Sequence, residues 1–376
     1  MKRKRASKAL SLLLTLCMVL GLLPGMALTA SAEEGTHDHS SGWTALTANG
    51  GYPTSGNYYL SDDLTLTNNL IINNQNVTLC LNGHVLTGKS NDYSVIQVRN
   101  GGTLTICDCQ NTKHEGYIDT DGLWKAGETV PEGCTECDLT GGVITGGNPG
   151  TDGEGGGVSN GNSSYVGGTV TFTGGNIAGN TAYYGGGVYN KGTLNLNGGN
   201  IIGNKAVYNG GGVSNGSLGY TGGTVNMTGG AISYNTTDSG NDGNMGGGVY
   251  SDGTFNMTGG TITHNYVNGT GGGVYLSCGK EVSIANATIT NNTASASAAG
   301  VYCNTIHFTL SGTVNISENE IRLGTGGRSN LYLDYSSSSN VIIHLTNELN
   351  TNSCIGVSGS RSLSDFAQGS GPIAAD

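Results

Sequence analysis

Between residues 139 and 320 the chain alternates apolar and polar residues in runs of three or four, and each run ends at glycine or asparagine. Val170-Thr171-Phe172, Leu194-Asn195-Leu196, Val225-Asn226-Met227, Phe255-Asn256-Met257 and Val282-Ser283-Ile284 are the clearest of these. A two-residue period is strand chemistry, because successive side chains of an extended chain point to opposite faces. No stretch in this region sustains the three-to-four-residue spacing of an amphipathic helix.

Two motifs frame those runs. Gly-Gly-Gly-Val stands at Gly155–Val158, Gly185–Val188, Gly210–Val213, Gly246–Val249 and Gly271–Val274, with a worn copy at Ala298-Ala299-Gly300-Val301. Ile-x-x-Asn stands at Ile177/Asn180, Ile201/Asn204, Ile232/Asn235, Ile262/Asn265, Ile289/Asn292 and Ile316/Asn319. The third glycines and Gly300 recur at steps of 30, 25, 36, 25 and 27 residues, and the isoleucines at 24, 31, 30, 27 and 27. Three short strands per repeat, with Gly or Asn corners, predict one turn of a parallel β-helix. A single turn cannot bury its apolar face alone, so turns must stack. The expected fold is all-β: a single-stranded, right-handed parallel β-helix of about 10–12 turns.

Alternation assigns directions to the side chains. Val188, Leu194, Leu196 and Ile201 point inward with their counterparts in neighbouring turns. Tyr189, Tyr250, Tyr275 and Tyr302 then stack on the outside, where a row of aromatic rings among Asn and Thr suits sugar rings. Asn160, Asn190 and Asn215 follow the inward Val by two and are expected to form an amide ladder at one corner. Asn180, Asn204, Asn235, Asn265, Asn292 and Asn319 are expected to form a second.

The same alternation extends outside the repeats, in Tyr58–Leu60, Leu64–Leu66, Leu70–Ile72, Val77–Leu81 and Leu104–Ile106, and again in Asn330–Asp334 and Val341–Leu345. The expected organisation is therefore an N-terminal tail or cap over 33–55, the coil over 56–345, and a cap or tail over 346–376. Before these, Met1-Lys2-Arg3-Lys4-Arg5, an apolar stretch over 9–23 and Ala30-Ser31-Ala32 read as a secretory signal peptide over 1–32. The apolar stretch is too short to span a membrane. The expected location is secreted or cell-surface, with no membrane insertion after cleavage.

Charge narrows the partners. The whole chain carries a net charge of −11, and removing 1–32 leaves ten basic residues against 26 acidic ones, a net −16. Such a chain cannot neutralise a phosphate backbone, so nucleic acid is not an expected partner. Carbohydrate or another cell-surface ligand is.

One segment breaks the pattern. Residues 107–138 contain Cys107-x-Cys109, His114 and Cys134-x-x-Cys137 among eight acidic residues. Aligning Val77-Leu79-Leu81 with Leu104-Ile106 sets Cys80 beside Cys107 on adjacent turns. Disulfides, free thiols and a structural zinc site all fit these residues; no other cofactor is expected. Catalysis on a β-helix needs clustered carboxylates, or Ca²⁺ with a basic residue, on one strand face. Of the six acids between 139 and 317 only Asp252 falls well within a strand-like run, and no Arg lies between Arg99 and Arg322. No catalytic residue is assigned.

The alternation of Gly-Gly-Gly-Val with Ile-x-x-Asn resembles the Gly-Gly-Ala-Ile and Phe-x-x-Asn repeats of polymorphic outer-membrane-protein-type β-helices and adhesin-like bacterial surface proteins. The resemblance covers about residues 139–320, with Val in place of Ile and Ile in place of Phe. It implies a bacterial surface β-helix that binds a ligand. The tail 346–376 lacks the amphipathic strands of a membrane barrel, so barrel insertion is not implied. Two other functions fit the same residues: a passive structural stalk, and a polysaccharide lyase or hydrolase.

Overall fold

The computed structural model describes residues 37–89, 93–150, 153–217, 220–238, 243–277, 280–305, 307–322, 327–334, 343–359 and 374–375. The expected signal peptide, residues 1–32, lies outside the described residues, as do residues 360–373 and 376 of the expected tail over 346–376. The chain winds into an all-β parallel solenoid of about ten turns.

The turn from Thr169 to Asn190 shows the pattern. Thr169–Phe172 lies on a first sheet, Asn176–Ala178 on a second, Thr181–Tyr184 on a third and Val188–Asn190 on a fourth. Each pairs in parallel with its equivalent one turn on: Val170 with Leu194, Ile177 with Ile201, Ala182 with Ala206, and Val188 with Val213. Three strands per repeat were expected, and a fourth is present. Its inward positions are small, Ala182, Ala206, Val267 and Ala294, so it lacks the large apolar alternation that marks the other three.

The core consists of columns of like residues. Val158, Val188, Val213, Val249, Val274, Val301 and Leu331 stack in one. Ile177, Ile201, Ile232, Ile262, Ile289 and Ile316 form another. All are at most 1% exposed and belong to one continuous cluster running from Leu60 to Val357. In-register stacking places identical shapes against each other, so each turn buries the apolar face of the last.

The corners explain the motif. The first glycine of each Gly-Gly-Gly-Val has positive φ, from +65° to +78°. A Cβ at Gly185 would stand 2.2 Å from the carbonyl oxygen of Val188. The worn copy holds Ala298 in this same conformation, at φ +52°.

Cys107 still belongs to the first sheet of the coil, and the segment expected to break the pattern over 107–138 is a small antiparallel unit that spans 113–140. Gly116–Ile118 pairs antiparallel with Trp124–Ala126 and with Thr135–Glu136. Trp124, 4% exposed, packs with Ile118 and Leu139 onto Val143, Ala178 and Ile202 on the outside of the second sheet. This cover explains why Ala178 and Ile202, which alternate outward, are apolar.

Candidate binding groove

The two asparagine rows are hydrogen-bonded columns. In the second-sheet corner the amide Nδ2 of Asn180 donates to Oδ1 of Asn204 at 3.0 Å, and the relay continues through Asn235, Asn265, Asn292 and Asn319 to Asn330 at 2.9–3.0 Å. Each Oδ1 also accepts the backbone N–H of the preceding asparagine, as Asn235 accepts from Asn204 at 3.0 Å. In the fourth-sheet corner Asn160 donates to Asn190 at 2.7 Å, Asn190 to Asn215 at 2.8 Å, and Asn215 to Ser251 Oγ at 3.0 Å. All nine asparagines named from the sequence are buried. A third column on the outer face of the first sheet joins Asn256 to Asn226 and Asn226 to Asn195 at 3.0 and 2.9 Å. Its members sit between inward apolar neighbours in each run, which is the signal that could have revealed it.

The tyrosines divide into two groups. Tyr189 is fully buried and Tyr250 is 2% exposed, so neither offers the outer surface expected of it. Both alternate away from the valine column and lie outside the core cluster, yet neighbouring chain covers them. The Tyr189 hydroxyl lies 3.3 Å from Ser217 Oγ, where the next turn doubles back antiparallel against Tyr220–Thr221. Burial pushes the Tyr250 phenol well above its ordinary value.

Tyr275 and Tyr302 are half-buried, and Tyr332, one turn further on, extends the row. Ring centroids lie 5.7 Å apart from Tyr250 to Tyr275, 4.5 Å to Tyr302 and 5.8 Å to Tyr332, with planes within 16°. The rings turn their faces to one another along the coil axis. What they present sideways is a row of edges and hydroxyls, so the sugar-on-ring-face packing expected from the sequence is not the geometry available here.

Those edges form one wall of a groove of about 260 Å³. The opposite wall comes from the third sheet and its corner: Asn244, Met245, Thr270 and Ser297. Asp334 closes one end and accepts a hydrogen bond from the Tyr302 hydroxyl. Burial, followed by this bond, raises the Tyr302 phenol far above its ordinary value and keeps it a neutral donor. Thr270 and Ser297 hydroxyls meet at 3.1 Å across adjacent turns. Asn244 and Met245 come from the longest repeat, the one with the 36-residue step, and its extra length supplies this wall.

Two residues beyond each tyrosine, Asp252, Ser277, Asn304 and Asp334 occupy successive turns of the same outer face. Burial raises the Asp252 carboxyl above its ordinary value. Three turns at about 4.8 Å separate Asp252 from Asp334, about 14 Å along the axis. Glycosidase carboxyl pairs stand about 5–9.5 Å apart. These two do not form such a pair.

The cysteines fall into separate places. Cys80 and Cys107 pair across adjacent turns, and Cys109 curls back so that its Sγ lies 3.5 Å from that of Cys80. His114 instead faces the Gly83 carbonyl at 3.1 Å. Cys137 is half-buried beside Trp124, where burial pushes its thiol up to about 12. Cys134 is half-buried at the start of Thr135–Glu136. Among the described residues the Cys-x-Cys and Cys-x-x-Cys ends do not converge on one site.

Comparisons of the chain with protein-family models, with curated proteins and with solved structures return no match.

Proposed function

We propose that the protein is a secreted or cell-surface, adhesin-like β-helix that binds a neutral glycan along the Tyr275–Tyr302–Tyr332 groove. The observation that carries this reading is the groove itself: phenol, hydroxyl, amide and carboxylate groups converge over aromatic edges, repeated at the turn spacing of the solenoid. A polyhydroxylated ligand matches such a row of donors and acceptors with its own. The volume sits just below the roughly 300 Å³ lower end of small-molecule clefts, which fits a short stretch of a chain lying in an open groove. The net charge of −11 and the carboxylates at Asp252 and Asp334 favour neutral sugars over acidic ones. A carboxylate separation of about 14 Å supports binding over hydrolysis.

Titration against neutral and acidic oligosaccharides tests the proposal. Tyr275→Phe and Tyr332→Phe keep the stacked rings and remove one hydroxyl each. Each is expected to weaken binding about three- to tenfold, the worth of one hydrogen bond. Tyr189→Phe, outside the groove, is expected to leave binding unchanged. No binding to any glycan would leave the protein a structural stalk, and new reducing ends in the mixture would mark a hydrolase.

A further inference from the structure

The N-terminal segment reaches a second cluster, remote from the groove. His39 stacks on Tyr59 with ring centroids 4.5 Å apart and planes 5° apart, and meets Trp43 edge-on at 4.9 Å. Tyr59, Cys80 and Cys107 occupy one register row on three successive turns of the first sheet. The ring of His39 therefore lies beside the sulfur row, and its ligating nitrogen, Cys80 Sγ and Cys109 Sγ all fall within 4.8 Å of one another. Cys80 and Cys109 are buried. The buried Nε2 of His39 has no hydrogen-bond partner among the described residues. A buried ring nitrogen left bare is costly unless something satisfies it.

We propose that His39, Cys80 and Cys109 bind Zn²⁺, with solvent as the fourth ligand. Zn–S bonds of about 2.3 Å at tetrahedral angles put two sulfurs about 3.8 Å apart. The 3.5 Å between Cys80 and Cys109 lies near that edge, whereas a disulfide needs about 2.05 Å. Cys107 stands beside Cys80 in register, but its thiol donates to the Leu79 carbonyl at 3.8 Å. The backbone N–H of His37 donates to Cys109, the kind of outer hydrogen bond that orients a thiolate ligand. Burial lowers the His39 imidazole and so favours the neutral, ligating form. On binding, the two thiols each release a proton to solvent as the Zn–S bonds form, and no electron changes hands. The ion would clip the N-terminal segment onto the coil and so seal its first turns, the part of a solenoid most in need of a cap.

The test is a Zn²⁺ titration of the purified, thiol-reduced protein against a chromophoric chelator, with Co²⁺ as the optical stand-in. One equivalent is expected to bind. Co²⁺ is expected to give thiolate-to-metal charge-transfer and tetrahedral d–d bands, and Zn²⁺ to raise hydrogen-exchange protection over residues 37–59. His39→Ala, on a half-buried segment outside the coil's core, is expected to weaken binding at least about a hundredfold with unchanged circular dichroism. Cys109→Ser is expected to remove most of the charge-transfer intensity. Uptake equal in the parent protein and His39→Ala would overturn the proposal. So would a Cys80–Cys109 cross-linked peptide in protein isolated without reductant, together with no Zn²⁺ uptake after reduction.

Discussion

Truncating Asn235 to Ala removes an inner rung of the longest amide column. Its side chain is fully buried and takes part in four hydrogen bonds. It donates to Asn265 Oδ1 at 3.0 Å and to the Ile201 carbonyl at 2.9 Å, and accepts from the backbone and side-chain nitrogens of Asn204, both at 3.0 Å. The Asn204 side chain keeps its bonds to the carbonyls of Ile177 and Ile202, and Asn265 still accepts from the backbone of residue 235. The backbone N–H of Asn204 keeps nothing. One orphaned buried amide costs about 1–3 kcal/mol, and the lost donors and the small void add to it. The expected destabilisation is about 3–5 kcal/mol, read as the shift in guanidinium midpoint multiplied by a common slope. Asn197→Ala serves as the control, since that side chain accepts only an exposed bond from Thr228 and is expected to change stability by less than about 0.5 kcal/mol. Asn235→Asp keeps the shape but sets an acceptor against the oxygens of Asn265 and Ile201. It is expected to cost more than Ala at neutral pH and to recover partly in acid. A loss below about 1 kcal/mol for Asn235→Ala would refute the argument that the column carries stability.

Three further changes probe other parts of the account. Ala298→Gly releases a side chain held at φ +52° and is expected to raise stability by about 0.5–1 kcal/mol, measured by the same denaturation; a loss would contradict the strain assigned there. Gly212→Ala is expected to destabilise by more than about 2 kcal/mol, because its Cβ would stand 2.8 Å from both the Gly248 carbonyl oxygen and Ile232 Cγ2. Burial raises the Asp108 carboxyl above its ordinary 3.8, against hydrogen bonds from the backbone of Gly142 and Gly83. The folded state then holds a proton that the unfolded chain has released, so this group's contribution falls as pH rises through 3.8 to the raised folded value. The stability of the parent protein relative to Asp108→Asn is therefore expected to decline over that window, and a rising difference would reverse the sign.

The repeat architecture was legible because its inward residues are large and alternate with polar ones, as in Leu194-Asn195-Leu196. The register of Cys80 against Cys107 followed from the same alignment. The strand at Thr181–Tyr184 was not legible, since its inward position is Ala182 and small side chains leave no period. Burial of Tyr189 was not legible either: alternation reports which way a side chain points and says nothing of what a neighbouring corner lays over it. The groove needed the extra length of the repeat around Asn244, which registers in sequence only as an irregular step. The proposed grouping of His39 with Cys80 and Cys109 escaped because His39 belongs to a different segment from the cysteines and stacks on Tyr59 of the same register row.

The core columns, the amide ladders, the groove and the cysteine row all depend on coils that advance by one strand spacing with identical positions in line. Thr105, Thr171, Asn195, Asn226, Asn256, Ser283, Thr309 and His344 form one such line on the first sheet. Pulsed electron–electron resonance between a spin label at residue 105 and a second at 283, 309 or 344 measures it directly. Backbone separations of about 24, 29 and 34 Å are expected, rising by about 4.8 Å per turn. Distances that fail to rise in equal steps, or a spread too broad to assign, would contradict it.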